Sequence, residues 1–292
     1  RRHEHAKHTS SMRVPQTKSL SLTERVMKGW AVGGVLFMLR ECKTHGFFTG
    51  LNCQVCNEEG KFIMSDREHN GLGRLVAGVL RHFPEKFELE MDINGWVSTR
   101  VMTDRFKAHR RYYHWLRPWH FKAIAESDGK GRYQVEGNMM RATYGHSVEI
   151  EIDLPTDDIP EALYWPCKPE ELENHLELGI KAGDRIHVHL SKTIVNALEA
   201  GHVHMPRPTI LEVDTTAAIV DGHTIYKAGT TVYLTEDIPP KYLFVVPSDD
   251  PIIEEMVCEW EVQEAKDAAK AKADAAKAAE EALAAAAASE EE

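Results

Sequence analysis

The clearest hydrophobic pattern in the chain is a set of apolar residues at the three- and four-residue spacing of one helix face. Its members are Leu72, Leu75, Val76, Val79 and Leu80. This spacing predicts an amphipathic helix. The helix should end at Arg81-His82-Phe83, because Pro84 disfavours helical geometry in the residue before it.

Further patterns follow this helix in the first half of the chain. Residues 89–97 contain Asn94-Gly95, a signal for a hairpin turn. Residues 100–122 predict a second, basic and aromatic-rich helix. Strands around 133–135 and 140–142 should pair through a turn at Gly137-Asn138. The order of helix, helix and paired strands is the one expected of a winged-helix-like unit.

Short strands outnumber helices after Pro155, which predicts an α+β class for the second half. We expect helices stopped by glycine at 170–178 and 192–200, and strands at 187–190, 210–213, 223–226 and 231–234. Beyond Trp260 the chain is rich in Ala, Lys, Glu and Asp. That tail should form a fraying, solvated helix without a fixed core face.

Composition places the chain among ordinary soluble proteins. Its 292 residues are 42% hydrophobic and 28% charged, enough for two compact domains. The longest nearly uncharged apolar run, 29–39, is shorter than the roughly 20 residues that span a bilayer. Five cysteines, an odd number, fit a reducing compartment. We therefore expect a cytoplasmic protein with no membrane partner, and a monomer.

The net charge of −11 is unevenly distributed. Residues 261–292 hold nine acids against four lysines, whereas residues 100–122 hold seven Lys or Arg against Asp104 alone, interleaved with aromatics. Such a basic, aromatic-rich face suits contact with a phosphate backbone. An amphipathic helix with core aromatics and solvated charges explains this segment equally well.

Cysteine and histidine spacing predicts a metal site near the start of the chain. Cys42 and His45 form one pair, and Cys53 and Cys56 form a second, each with two intervening residues. Tetrahedral zinc takes four sulfur or nitrogen ligands, and a tight turn can present such a pair to one ion. Because all four ligands come from protein, the zinc would be structural.

Several segments together carry a resemblance to a known family. They are 80–84, 94–97, 141–147, 188–191, 211–214 and 232–235, the last followed by Pro239-Pro240. In order and spacing this set resembles the RNA 2′-phosphotransferase (KptA-like) family, in its archaeal type with an N-terminal zinc knuckle. The resemblance implies a winged-helix-like N-lobe and an ADP-ribosyltransferase-like C-lobe.

The resemblance also implies a domain plan and an activity. The plan is an extension (1–38), a zinc knuckle (39–60), a winged-helix-like RNA-binding lobe (61–150), an ADP-ribosyltransferase-like NAD-binding lobe (151–260) and a helical tail (261–292). The family removes an internal 2′-phosphate from RNA, as in tRNA splicing. The phosphate first attacks the nicotinamide ribose of NAD and expels nicotinamide. The ribose 2″-hydroxyl then attacks the phosphate, releasing ADP-ribose 1″,2″-cyclic phosphate and 2′-OH RNA.

By this resemblance Arg81, His82 and Arg141 contact the transferred phosphate, a task that suits guanidinium groups. The fourth family position, an arginine, falls on His204, and the nearest actual arginine is Arg207. Outside the resemblance, Arg81 and His82 are equally typical of cations at a helix C-terminus. Arg141 alone would be an ordinary solvent-facing strand residue.

The NAD-binding residues implied by the resemblance are Tyr164, Trp165, His189, Ser191 and Val232. The chain departs from the family at 164–167, where Tyr-Trp-Pro-Cys replaces Tyr-His-Gly-Thr. Trp165 offers a stacking surface for nicotinamide or adenine, but Pro166 removes a backbone donor. Outside the resemblance His189 would be an ordinary strand histidine.

Two alternative functions stay open at this point. The altered 164–167 stretch and the basic 100–122 segment fit a zinc-containing nucleic-acid-binding protein with a degenerate transferase lobe. An enzyme that uses only the first chemical step would instead transfer ADP-ribose onto a terminal phosphate of nucleic acid.

Overall fold

The computed structural model describes residues 38–183 and 185–289. The chain divides into two compact units, 1–68 and 69–292, which are described separately. The predicted N-terminal extension lies outside the described residues, apart from residue 38. The fold mixes helices and strands, as the sequence predicts.

The first unit is built on a small antiparallel sheet that the hydrophobic pattern did not predict. Its strands are β1 (Met38–Cys42), β2 (Gly46–Thr49) and β3 (Lys61–Ser65), in the order β2-β1-β3. Leu39 and Met64 are buried in it. The strands are too short for an alternating pattern to stand out in the sequence.

The predicted amphipathic helix is confirmed as α1 (Asp66–Arg81), with all five apolar residues buried. The single helix predicted over 100–122 is wrong. It is divided into α2 (Thr99–His109), a 3₁₀ helix (Arg111–Trp115) and α3 (Pro118–Ser127). Arg110 adopts an extended backbone between the first two. Pro118 is tolerated only in the first turn of a helix, so α3 starts there.

A three-stranded antiparallel sheet accompanies these helices, with β4 (Val97–Ser98), β5 (Tyr133–Glu136) and β6 (Met139–Ala142) in the order β4-β6-β5. The predicted strand pair and its turn are confirmed as β5 and β6. The hairpin predicted at Asn94-Gly95 is wrong. The turn there forms because the Asp92 carboxylate accepts backbone N–H bonds from Asn94 and Trp96, and β4 pairs with β6 instead.

The second half of the chain forms a six-stranded sheet in which every pair is antiparallel. Its strands are β7 (Ala162–Cys167), β8 (Val188–Ser191), β9 (Thr209–Asp214), β10 (Ile225–Lys227), β11 (Val232–Thr235) and β12 (Leu243–Val245), in the order β10-β11-β8-β7-β9-β12. The four predicted strands are confirmed, and β7 and β12 are additional.

Three helices flank this sheet: α4 (Leu172–Leu178), α5 (Ile194–His202) and α6 (Thr215–Val220). Gly179 ends α4 as predicted, with φ +83°. The predicted helix stop at Gly201 is wrong, because this residue lies inside α5. A Cβ there would lie 2.7 Å from Cβ of Pro166 and 2.8 Å from Cβ of Pro208. Gly201 is therefore explained by close packing.

The last helix, α7 (Pro251–Ser289), begins before the predicted tail. Ile253 and Met256 are buried, and the Trp260 ring stacks on His202 with centroids 3.8 Å apart. Residues 261–275 are exposed. Within the described residues, no helix is both long and apolar enough to cross a membrane.

Candidate active site and metal centre

The four predicted metal ligands come together in the first unit. Cys42 ends β1, His45 lies in the turn before β2, and Cys53 and Cys56 lie in the next turn. Their ligand atoms all lie within 4.8 Å of one another. Nδ1 of His45 is 3.5 Å from the sulfurs of Cys42 and Cys53. This arrangement can hold one metal ion.

The two thiols of the second cysteine turn differ. A backbone hydrogen bond from Glu58 lowers the pKa of Cys56, but burial and the neighbouring Cys53 and Cys42 outweigh it and raise that pKa, whereas Cys53 favours the thiolate form that binds metal. Backbone N–H groups of Cys56 and Val55 donate to the Cys53 sulfur and lower the pKa of that thiol to about 6. Asn57 adopts a left-handed φ of +59°, and its N–H donates to the carbonyl of Cys53 at 2.8 Å. Three sulfurs and one imidazole form a donor set that suits tetrahedral zinc.

The end of α1 and the loop after β6 bring several site residues together in the second unit. The N–H of Ser147 donates to the carbonyl of Arg81 at 2.9 Å. Nδ1 of His82 lies 3.0 Å from Oγ of Ser147. These bonds fix Arg81 and His82 against the loop that follows Arg141 in the sequence.

The Arg81 guanidinium is enclosed by this loop. Its Cζ lies 4.9 Å from the centre of the Tyr144 ring, and a Cβ at Gly145 would lie 3.3 Å from both Cζ and Nε of Arg81. Nε and Nη2 of Arg81 are buried without a hydrogen-bond partner. Burial lowers the pKa of Arg81, but a guanidinium stays charged in proteins.

Arg141 lies on β6 and is buried, with several contacts of its own. Nε donates to Oε1 of Gln134 at 2.7 Å, and Nη1 donates to the carbonyl of Asn94 at 3.3 Å and pairs with Asp153. Its Cζ lies 4.5 Å above the ring of Trp96. Arg141 therefore points into the part of the chain formed by α1 to α3 and β4 to β6. The interpretation of Arg141 as a solvent-facing strand residue is wrong.

His146 lies near Arg81 and Arg141. Its Nε2 is buried without a partner and lies beside Gly95, where an added Cβ would be 3.8 Å away. Arg141 donates to the carbonyl of the neighbouring Asn94. Burial, followed by the charge of Arg81, lowers the pKa of His146 to about 4, and Arg141 adds to this effect. The side chains of Arg81, His82, Arg141 and His146 lie around the loop after β6. They are called the phosphate cluster below, after the role that the resemblance implies.

Strand register brings four of the predicted NAD-binding residues to one face of the six-stranded sheet. Ser191 is opposite Tyr164 on one side and Val232 on the other. Directly opposed residues of antiparallel strands share a face, and His189 shares it because it is two residues from Ser191. The His189 ring lies 6.1 Å from that of Tyr144, so this face adjoins the phosphate cluster.

His189 is held in one neutral state. Burial lowers its pKa to about 3. Nδ1 lies 3.0 Å from the carbonyl of His187, so Nδ1 carries the proton and donates. Nε2 is therefore an acceptor, and it is buried without a partner.

Trp165 does not share this face. It follows Tyr164 directly, so its side chain points to the opposite side of β7. There it packs against the buried core of the six-stranded sheet, and its ring lies 4.7 Å from the His175 ring. The expectation that it stacks on nicotinamide or adenine is not supported by this position.

The two candidates for the fourth phosphate-contacting position lie away from the cluster. His204 is exposed, and its N–H donates to the carbonyl of Gly201 at 2.9 Å. Arg207 is exposed and pairs with Glu261 of α7. Neither residue contacts Arg81, His82 or Arg141 within the described part of the chain.

Comparison with known proteins identifies the family. The model of the RNA 2′-phosphotransferase, Tpt1 / KptA family matches residues 66–237, which include every member of the phosphate cluster and the sheet face. The chain belongs to this family.

Family relatives match along most of their length. The probable RNA 2′-phosphotransferase of Methanosarcina acetivorans is 42% identical over 209 residues, 72% of this chain and 99% of the relative. Probable RNA 2′-phosphotransferase 1 of Archaeoglobus fulgidus is 40% identical, over 70% of this chain and 93% of the relative. The corresponding Thermoplasma acidophilum protein is 37% identical, over 70% and 86%. These archaeal relatives confirm the resemblance.

Two residues of the site were not singled out from the sequence. The Tyr144 ring lies 4.9 Å from Cζ of Arg81, and the charges of Arg81 and Arg141 both lower the pKa of His146. Both lie inside the 141–147 segment that carries the family resemblance. Their position in this motif could have indicated a functional role, but only the structure shows that they are buried.

A cavity of about 360 Å³ lies along α1 beside Arg81. Its lining includes Asn70, Gly73, Arg74, Arg81, Arg132 and Tyr133. The hydroxyl of Tyr133 donates to the carbonyl of Gly73 at 3.1 Å, and burial raises the pKa of this hydroxyl to about 12. The lining also includes the carboxylate of Asp128, which pairs with Arg132. Three arginines against one carboxylate leave the wall cationic, with a neutral tyrosine, and it suits an anionic ligand.

Proposed function

We propose that this member of the family removes an internal 2′-phosphate from RNA by transferring it to NAD. The products would be 2′-OH RNA, nicotinamide and ADP-ribose 1″,2″-cyclic phosphate, reached through RNA-2′-phospho-ADP-ribose. Family membership supports 2′-phosphate removal from RNA. Use of NAD and the two-step course are the proposal's further claims.

One observation carries this proposal: buried polar atoms without partners occur on three side chains around Tyr144 and the loop after β6. They are Nε and Nη2 of Arg81, Nε2 of His146 and Nε2 of His189. Burying such a group without a hydrogen bond costs about 1–3 kcal/mol, and native proteins seldom leave these groups unsatisfied. A ligand with anionic and hydroxyl oxygens would satisfy all of them.

The phosphate end of the ligand would bind at Arg81, His82 and Arg141. Two neighbouring guanidinium nitrogens of Arg81 match two phosphate oxygens, as bidentate recognition requires. Arg141 adds a second cation from another strand. Fixed cations of this kind stabilise the charge that spreads over the oxygens during phosphoryl transfer.

The sheet face would bind the NAD co-substrate through Tyr164, His189, Ser191 and Val232. The neutral His189 offers Nε2 as an acceptor, which suits a ribose hydroxyl. Tyr164 and Ser191 add hydroxyl groups on the same face. Trp165 is left out of this site because its side chain packs in the core.

The architecture supports the same assignment. The order α1, β4, α2, α3, β5, β6 agrees with a winged-helix-like lobe, and the six-stranded antiparallel sheet agrees with an ADP-ribosyltransferase-like lobe. The knuckle of Cys42, His45, Cys53 and Cys56 would hold a structural zinc. A cytoplasmic monomer acting on tRNA-type substrates completes the proposal.

The experiment uses the protein, NAD and an oligoribonucleotide bearing one internal 2′-phosphate. We expect loss of that phosphate only when NAD is present. Accumulation of an ADP-ribosylated oligonucleotide would favour the one-step alternative. Binding without turnover would favour a degenerate transferase lobe. Pro166 in β7 is an argument for this alternative, because proline has no backbone N–H to donate.

A matched pair of variants tests the Arg81 assignment. Arg81→Lys keeps the charge but loses the planar fork, so turnover should fall about 100-fold or more. Arg67→Lys makes the same change at an exposed position of α1 and should leave turnover unchanged. Equal turnover in both variants would count against the proposed clamp.

A further inference from the structure

Residues 110–119, called the basic segment below, form a cationic and aromatic surface that the candidate site does not use. No acidic residue occurs between Asp104 and Glu126, although the whole chain carries −11. Arg110, Arg111 and Arg117 are exposed. Tyr112 and Trp119 are 48% and 43% exposed, and the Trp119 ring is stacked on that of His120 with centroids 3.8 Å apart.

The basic segment is held firmly in place by the lobe beneath it. Tyr113 is buried, and its ring centre lies 6.2 Å from that of Phe106. Leu116 is fully buried. The Arg117 guanidinium donates to the carbonyls of Leu116 at 2.9 Å and His114 at 3.3 Å. The exposed side chains are therefore displayed from a fixed backbone, which lowers the entropy cost of binding.

The arginines of the basic segment differ from several cations of residues 151–260. Lys168, Lys181, Arg207, Lys227 and Lys241 each pair with a carboxylate. Among the described residues, no carboxylate pairs with Arg110, Arg111 or Arg117. Arg110 and Arg111 are therefore available for an anion from outside the chain, whereas the Arg117 guanidinium also donates to backbone carbonyls.

We propose that the basic segment docks unpaired nucleotides of the RNA substrate, outside the site where the phosphate is transferred. Its arginines would contact backbone phosphates, and Tyr112 and Trp119 would stack on bases. Exposed aromatics beside arginines suit single-stranded RNA, whose bases are free to stack. This inference rests on the proposed function because RNA is the substrate there.

The side-chain contacts of Tyr112, Tyr113 and Arg117 are made to residues 106–116 and not to the phosphate cluster. The two sites should therefore separate in function. Docking should strengthen binding of long RNA without changing the chemical step. A substrate too short to reach the basic segment should not respond to its alteration.

The test measures the dissociation constant for a fluorescent, unphosphorylated oligoribonucleotide of about 15 nucleotides, near the upper site size of single-strand-binding folds. The variant is Arg110→Ala with Arg111→Ala. The matched control is Lys266→Ala with Lys270→Ala, which removes the same charge from the exposed tail. We expect at least about tenfold weaker binding in the arginine variant alone. The slope of log affinity against log salt should become shallower by about 1.4, since each single-strand phosphate contact contributes about 0.7.

A second pair of variants tests the stacking. Tyr112→Ala should weaken binding about fivefold or more, whereas Tyr112→Phe keeps the ring and should bind normally. Turnover of a 2′-phosphorylated trinucleotide provides the fold check and should be unchanged in all of these variants.

Several results would overturn the inference. Unchanged affinity in the arginine variant would do so, as would an equal loss in the lysine control. An equal loss of turnover on the trinucleotide would show that the basic segment acts through the active site. Because the binding assay needs neither NAD nor a 2′-phosphate, its result is independent of whether the proposed reaction occurs.

Discussion

The buried histidines make a quantitative prediction about acid stability. Burial, followed by the charge of Arg81, lowers the pKa of His146 to about 4 in the folded protein, against about 6.5 in an unfolded chain. Between pH 6.5 and pH 4, His146 therefore binds a proton in the unfolded state but not in the folded state. The stabilisation is fully present above pH 6.5 and is lost as the pH falls towards 4.

The size of this effect follows from the pKa difference. Each pH unit in the window costs about 1.4 kcal/mol per histidine, so moving from pH 7 to pH 5 should cost about 2 kcal/mol through His146. His189, with a folded pKa of about 3, should cost a similar amount over the same interval. Together they would remove about 4 kcal/mol, a large share of a typical folding free energy.

The assay is urea unfolding followed by tryptophan fluorescence at pH 7 and pH 5 at one ionic strength. His146→Gln removes the titrating group, so this variant should lose about 2 kcal/mol less between the two pH values than the parent does. His114→Gln, at an exposed histidine, should lose as much as the parent. If the His146→Gln protein loses as much stability as the parent, the argument that burial keeps His146 neutral is refuted.

Four further predictions concern single residues. Cys53→Ser should abolish binding of one zinc per chain, measured by elemental analysis, and a metal-free parent protein would remove the zinc claim. Arg141→Ala should abolish 2′-phosphate release in the NAD assay, and near-normal turnover would argue against its place in the phosphate cluster. Arg207→Ala should keep turnover within about twofold of the parent, because its partner is Glu261, so a large loss would return it to the site. Gly145→Ala should lower both stability and turnover, because φ there is +85° and the new Cβ would lie 3.3 Å from the Arg81 guanidinium, and unchanged unfolding and kinetics would contradict this.

The elements that the sequence predicted well are those with local signals. The spacing of Leu72 to Leu80 requires only that one helix face be buried, and the turn at Gly137-Asn138 requires only two residues. The hairpin predicted at Asn94-Gly95 is wrong because its signal is only local. Two turn residues fix the turn, but pairing depends on β6, which lies more than forty residues further along the chain.

The sequence could not predict the orientation of the site side chains. Tyr164 and Trp165 are adjacent, and the side chains of adjacent strand residues point to opposite faces. The family resemblance implied that both residues bind NAD. A motif match does not show to which side of β7 the tryptophan side chain points. The fourth phosphate-contacting position stays a prediction. Counting back along the sequence does not reveal that Arg207 meets a carboxylate 54 residues away on α7.

The two arginines of the phosphate cluster differ in what an incoming phosphate must displace. Arg141 already contacts Gln134, the Asn94 carbonyl and Asp153, so its guanidinium is held in place but is largely occupied. Arg81 is less buried than Arg141 as a whole residue, yet its Nε and Nη2 are buried and have no partner. Since a buried donor without a partner gains more from a new hydrogen bond than one that must exchange partners, the free energy of phosphate binding should come mainly from Arg81. Arg141 would then act chiefly by its fixed charge.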